Sequence, residues 1–172
     1  DSSTSRGLGD VYKRQPTNDI LEQRLAALEG GIAAVVTASG TSAIATTLLT
    51  LLKAGDHIVA SSSLYGGTYN LLSVTLPRHG ITTTFVDPLD AENFKSAVQE
   101  NTRTFFIESL GNPKLDVLDI EAISNQAKAF KVPLIVDNTV ATPCLLNPIE
   151  YGANIVIHSL TKYILSLIHI SE

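Results

Sequence analysis

At 172 residues, 44% hydrophobic and 17% charged, the chain is long enough for one domain with a real core and too apolar to be read as disordered. A net charge of −5 without any Lys/Arg run argues against nucleic acid as a partner, and no unbroken apolar run approaches the ~18 residues of a membrane span. The lone Cys144 excludes an intramolecular disulfide and, with a polar N-terminus unlike a signal peptide, fits a soluble cytoplasmic protein.

From Pro16 onward, helix-period and strand-like runs alternate. "PTNDILEQRLAALEGG" predicts a helix with Leu21, Leu25 and Leu28 on one face. Thr17, Asn18 and Asp19 offer N-cap side chains, and Gly30-Gly31 is the stop. The apolar run "IAAVVT" reads as a strand leading into "ASGTSAIATTLLTLLKAGD", a helix from Ser39 or Gly40 to Gly55. "HIVAS" is the next strand, followed by the loop "SSLYGG" and a helical run through "TYNLLSVTL". "ITTTFV" is a strand by its β-branched content, "AENFKSAVQE" a helix, "TFFIES" a strand and "DIEAISNQAKAF" a helix. "VPLIVD" is a short buried strand that tolerates Pro133 near its start, and "NIVIHS" is the last strand. Strands alternating with helices of this length predict an α/β fold, a mostly parallel sheet with helices on both faces.

The two ends stand outside this pattern. "DVYKRQ" and "SLIHISE" resemble translated sequencing-adapter read-through, so residues 1–15 and 165–172 are read as foreign flanks around a native segment, 16–164.

Polar groups gather where strands end, the place where open α/β sheets bind ligands. Ser39, Gly40 and Thr41 open a helix after a strand and can aim backbone N–H groups at an anion, although Ser-Gly before a helix is more often a plain cap. The sequence there is neither G-x-G-x-x-G nor a Walker loop. Asp137 ends "VPLIVD"; a carboxylate at a buried strand end is costly unless paired, and its bland reading is a cap or a salt bridge. One strand later, "HSLTK" brings out Ser159, Thr161 and Lys162 together. Hydroxyls suit a phosphate, and a lysine kept from water is a Schiff-base nucleophile because burial lowers its pKa. Tyr65 in "SLYGGTY" either packs on the core or covers a flat ring, and Asn112 in "GNPK" is on its own a common turn residue. Together these are the parts a pyridoxal phosphate site needs. "SLTK" also fits S-x-x-K, but here it follows a strand, and S-D-N and K-T-G are both missing.

In order along the chain, "PTNDILEQRLAALEGG", "SSLYGGTYNLL", "ESLGNPKLDVLDIEAI", "PLIVDNTVATP" and "GANIVIHSLTKY" resemble the Cys/Met-metabolism family of pyridoxal-phosphate enzymes, from Pro16 to about Ile164. Within it, "YGGTYNL" and "GNPKLDV" are most similar to O-acetylhomoserine sulfhydrylases, with cystathionine γ-synthase, cystathionine γ-lyase and methionine γ-lyase as alternatives. The resemblance implies the aspartate-aminotransferase-like fold (PLP type I), of which 16–164 is an incomplete large domain. It implies pyridoxal 5'-phosphate as cofactor and no metal. Lys162 would bond the cofactor and shuttle protons, and Asp137 would pair with the pyridine N–H. Gly40 and Thr41, with Ser39 beside them and Ser159 and Thr161 opposite, would hold the phosphate. Tyr65 would stack on the ring and assist proton transfer, and Asn112 would bond the phenolic oxygen. Glu108 and His158 are read as structural support.

The implied reaction is a γ-replacement in which sulfide or a thiol displaces acetate from an amino-acid substrate, giving homocysteine or methionine. A homotetramer built from dimers is implied, and the chain by itself is expected to be an inactive piece. There are departures. Tyr12 and Arg14 imitate the family's Tyr-x-Arg pair but are offset by one position, and "QPT" stands for "NPT". Cys144 replaces a frequent Tyr and is read as packing variation; the Gly-rich continuation after Lys162 is missing. The reading from another class is a non-catalytic α/β domain whose strand-end residues are caps and turns.

Overall fold

Five strands form one wholly parallel sheet in the order β2-β1-β3-β4-β5. They are β1 (His57–Ser61), β2 (Thr82–Val86), β3 (Thr102–Glu108), β4 (Leu134–Asp137) and β5 (Ile155–Ile157). The computed structural model describes residues 16–165, so Tyr12, Arg14, "QPT" up to its glutamine and nearly all of both supposed flanks lie outside the described residues. Two compact units divide at Val36/Thr37.

The first unit contains α1 (Pro16–Glu29). Asp19 lies in its first turn, where its carboxylate accepts from Gln23 Nε2 at 2.9 Å, and is not the cap expected of it. Gly30 ends the helix at φ +70°. Leu28 is exposed, unlike Leu21 and Leu25 on the same predicted face. The expected strand "IAAVVT" does not form. A strand needs a ladder partner, and among the described residues none pairs with this run, whose Ile32 and Val35 are exposed. The Val36 N–H donates instead to Glu22 Oε1 at 2.9 Å, and the Thr37 hydroxyl to Ser39 O at 2.9 Å.

The second unit starts with α2 (Gly40–Leu51), capped by Ser39, whose Oγ accepts the Ser42 N–H at 3.1 Å. The helix stops at Leu51, not at the expected Gly55. Leu52 turns extended, and a turn closes from Asp56 N–H to Lys53 O, with Gly55 at φ +93°. After β1, α3 (Gly66–Asn70) runs on without a break through a π turn (Leu71–Thr75) and a 3-10 turn (Leu76–His79). Next come α4 (Ala91–Ser96), shorter than predicted, α5 (Ile120–Ala129), capped by Asp119, and the brief α6 (Thr142–Leu145). Cys144 is exposed on α6, so it varies a surface and not a packed position.

Alternation along the strands sorts the core into two layers. Ile58, Ala60, Phe106, Ile135 and Ile157 meet Ile44 and Leu48 of α2 and Leu71, Leu72 and Leu76 of the helical run. Val59, Phe105, Ile107, Leu134 and Val136 meet Phe94 of α4 and Ile120, Ile123 and Ala127 of α5. Both faces are therefore covered, as the near-continuous apolar strands demand. The chain passes from β1 out to β2 and returns to β3, and the covering helices change face with that reversal. The reversal makes the gap between β1 and β3 a switch point, and the carboxyl ends of these strands the place for a ligand. Adjacent Phe105 and Phe106 are both fully buried, one in each layer. Truncating either would remove about 3–5 kcal/mol from a total that is typically ~5–15 kcal/mol.

At the opposite edge, His57 is buried on β1 between its two neighbours. Its Nε2 lies 2.8 Å from Thr84 Oγ1 on β2 and its Nδ1 2.8 Å from Thr102 Oγ1 on β3. Burial holds its pKa below the usual 6.5, so the folded chain prefers the neutral ring. The unfolded chain then binds the extra proton, and the stability His57 contributes is present above 6.5 and lost as pH falls through the folded value. His57→Phe should cost about 1–3 kcal/mol above pH 7, and its urea midpoint should converge on the parent's as the pH is lowered below 6.

Candidate functional site

Every sequence-predicted site residue belongs to the second unit and to the carboxyl-end edge of the sheet. The sites begin with Asp137, the last residue of β4. It has the strand parity of Ile135 and Phe106, and so faces the layer that α2 covers, as does Glu108, its register partner on β3. Beyond Asp137 the chain turns at once, and Thr139 folds back on it: the Thr139 N–H donates to Asp137 Oδ1 at 3.0 Å, and the Thr139 hydroxyl donates to the same oxygen. No hydrogen bond reaches Oδ2 from the described residues. Burial pushes the Asp137 carboxyl up, against the two Thr139 bonds and the nearby charge of His158.

The same Thr139 hydroxyl accepts the Ser159 N–H at 2.8 Å, which ties the end of β4 to the segment after β5. Ser159 in turn abuts the start of α2. A Cβ on Gly40 would fall 2.7 Å from Ser159 Cβ and 3.0 Å from its Oγ, so only glycine allows the helix N-terminus this approach. The Ser42 and Ala43 N–H groups return to Ser39, through Oγ at 3.1 Å and O at 2.9 Å. Gly40 and Thr41 N–H groups have no partner among the described residues, and α2, twelve residues long, adds its dipole. Ser159 Oγ and Thr161 Oγ1 are 3.3 Å apart. Two hydroxyls and two open N–H groups at a helix start form a donor set for a phosphate.

Lys162 follows within the same turn, its N–H bonded to Ser159 O at 3.1 Å. It is exposed, contrary to the expected shielding from water, because among the described residues nothing folds over the turns that follow β5. Tyr65 sits after β1 at the start of α3, 55% exposed, and its N–H donates to Glu108 Oε1 at 2.7 Å. Burial pushes the Glu108 carboxyl up to about 7; the Tyr65 N–H opposes this, and the Asp137 carboxylate adds to it. Asn112 is half-buried on the loop after β3. That loop is pinned by Gly111 N–H to Asp116 O, 2.8 Å, and by Ser63 Oγ to Asp116 Oδ2, 2.9 Å.

An unbroken path of contacts thus runs from Gly40 through Ser159, Thr139, Asp137 and Glu108 to Tyr65. Sequence reasoning missed Thr139 and passed over Glu108. Thr139 had a signal, a hydroxyl two residues after a strand-ending Asp, which is a side-chain-to-backbone turn pattern. A surface depression of about 500 Å³ beside Gln99, Arg103 and Lys131 is at the other edge of the sheet and contains none of these groups.

The residues present fit pyridoxal phosphate. The donor set suits its phosphate, the open Oδ2 of a buried carboxylate suits a protonated ring nitrogen, an amine stands in the same turn, and an aromatic ring stands half-exposed. Residues 3–166 match the family model described as Cys/Met metabolism PLP-dependent enzyme. The O-acetyl-L-homoserine sulfhydrylase of Leptospira meyeri is 58% identical over 158 residues, which is 91% of this chain and 36% of that protein. The homocysteine synthase of Schizosaccharomyces pombe is 53% identical over 159 residues, 91% of this chain and 37% of its own length. A solved structure of a putative O-acetylhomoserine (thiol)-lyase from Campylobacter jejuni, with N'-pyridoxyl-lysine-5'-monophosphate, superposes at a TM-score of 0.85 with 43% identity, covering 87% of this chain and 37% of that one. The chain spans a little over a third of the length of these relatives.

Gly40→Ala tests the close approach of α2. Alanine is worth up to ~1 kcal/mol over glycine inside a helix, whereas forcing a methyl into occupied space costs about 1–3 kcal/mol. The variant should therefore melt at lower temperature and bind inorganic phosphate more weakly; a higher melting temperature would mean that Ser159 moves aside freely.

Proposed function

We propose, from the premise that this chain belongs to the Cys/Met metabolism PLP-dependent enzyme family, that the whole protein is an O-acetylhomoserine sulfhydrylase. The contact path from Gly40 to Tyr65 carries the reading, because it assembles a phosphate cradle, a carboxylate with an open oxygen and an aromatic cover on one sheet edge. The substrate class is drawn from the sulfhydrylase relatives.

When bound, pyridoxal phosphate supplies a ring that accepts the electron pair of a substrate carbon losing its proton. The chain's residues do the rest. Gly40 and Thr41 N–H groups, with the Ser159 and Thr161 hydroxyls, hold the phosphate; Ser39 fixes the helix start behind them. Asp137 keeps the ring nitrogen protonated through its open oxygen, and that cation offsets the burial that pushes the Asp137 carboxyl up. The Asn112 amide bonds the phenolic oxygen. Lys162 Nζ anchors the cofactor at rest, then takes and returns protons at the α- and β-carbons of the substrate. Tyr65 covers the ring, keeps water away and assists the proton balance near the leaving group. In the net reaction, O-acetylhomoserine and sulfide give homocysteine and acetate; a methyl thiol in place of sulfide gives methionine. The same proposal takes the protein as a cytoplasmic homotetramer built from dimers, which light scattering of the purified protein would check.

Purified whole protein should form homocysteine from O-acetylhomoserine and sulfide. Release of 2-oxobutyrate from methionine without sulfide would replace the reading by a γ-lyase. Lys162→Ala should bind pyridoxal phosphate without the borohydride-reducible bond that the parent forms. Asp137→Asn should lower turnover about 10²–10³-fold, the usual cost of one preorganised electrostatic partner. Near-normal turnover would leave Asp137 as a cap only.

A further inference from the structure

Glu108 has no assigned task in that reading, yet its placement is costly. It is 5% exposed, stands in register beside a second carboxylate, Asp137, and forms no ion pair among the described residues. Packing alone does not favour a carboxyl there, since an apolar side chain of similar volume avoids the desolvation cost. Among the described residues its one hydrogen bond comes from the Tyr65 N–H, at 2.7 Å.

Tyr65 depends on that bond more than its neighbours do. Ser63 has two ties of its own, its N–H to Ser61 Oγ at 2.9 Å and its Oγ to Asp116 Oδ2 at 2.9 Å, and Leu64 is buried. Tyr65 starts α3 without a side-chain cap bond. The Cε1 edge of its ring lies against Gly67, where a Cβ would come 2.5 Å from Tyr65 Cε1. The bare glycine stops the ring on one side, and the Glu108 bond fixes the backbone from which the ring extends.

We propose that Glu108 is the positioning residue for Tyr65: its buried carboxyl group, held beside Asp137 by the β3–β4 register, takes the Tyr65 N–H and so sets where the ring lies over the strand ends. The proposal rests on the reading that Tyr65 and Asp137 face the cofactor. Because burial keeps Glu108 partly protonated near neutrality, its acceptor oxygen and not its charge is the working part. Ionised and neutral carboxyls both accept an N–H, and so does a glutamine carbonyl.

The experiment is a double-mutant cycle on the whole protein, read as pyridoxal phosphate affinity from absorbance titration, with circular dichroism to confirm folding. Glu108→Leu keeps the volume and loses the acceptor, and should weaken cofactor binding about tenfold. Glu108→Gln keeps the acceptor and should stay within about threefold of the parent. Tyr65→Ala should also cost about tenfold. Glu108→Leu added to Tyr65→Ala should then cost nothing more, since no ring remains to be placed. Multiplying effects, or a Gln variant as weak as the Leu variant, would overturn the positioning role and leave the cofactor reading intact. If Tyr65→Ala binds pyridoxal phosphate as well as the parent, both fall. Should the Leu variant fail to fold, the Gln variant decides by itself: its affinity stays near the parent's or the proposal is lost.

Discussion

The hydroxyl of Thr139 is the joint on which the rest of the site depends. It donates to Asp137 and accepts from the Ser159 N–H, so one oxygen aligns the end of β4 with the segment after β5. Ser159 in turn sets how close α2 can come, through the bare backbone of Gly40. The carboxylate end and the anion end of the site are therefore not independent loops. A shift of either is felt by the other through one side chain of three heavy atoms. Such a small connector loses little rotamer freedom on being fixed, which is why a threonine serves where a longer polar side chain would not hold the spacing.

The cost of this arrangement is two carboxyl groups side by side at a buried sheet edge. Each is pushed toward its neutral form by burial, and the Asp137 carboxylate adds to the push on Glu108. The pair lowers its own cost by dividing the labour. Asp137 receives two hydrogen bonds on one oxygen and lies near the charge of His158, whereas Glu108 receives a single backbone N–H. Neighbouring titratable groups with unlike surroundings are how a site keeps one of them ionised and the other protonated at the same pH. The sheet supplies the adjacency through register alone.

Much of this was legible in the residues. "HIVAS" is β1 to the residue, β2, β4 and β5 fall within their predicted runs, and β3 overlaps its run but begins two residues earlier, at Thr102, because alternation of strand and helix periods survives burial on both faces. Ser39 as a cap and Asp137 as a strand end were equally readable. What sequence could not supply was partnership. "IAAVVT" has strand composition but no neighbour to pair with among the described residues, and periodicity is blind to that. Lys162 follows an apolar run, yet burial depends on what folds over it. The link from Thr139 to Ser159 spans twenty positions, and the link from Tyr65 to Glu108 spans forty-three; only the sheet order brings them together.

The adjacent phenylalanines of β3 make the sheet a partition between two separate interiors. Phe106 belongs to the layer that backs α2, and with it the helix end at Gly40; Phe105 belongs to the layer under α4 and α5, on the sheet face opposite the one that Asp137 and Glu108 share by strand parity. Tight packing transmits strain within a layer far more readily than through a hydrogen-bonded backbone plane. The protein therefore has one interior that evolution can revise at the expense of stability alone, and another in which every revision also moves the geometry of the site.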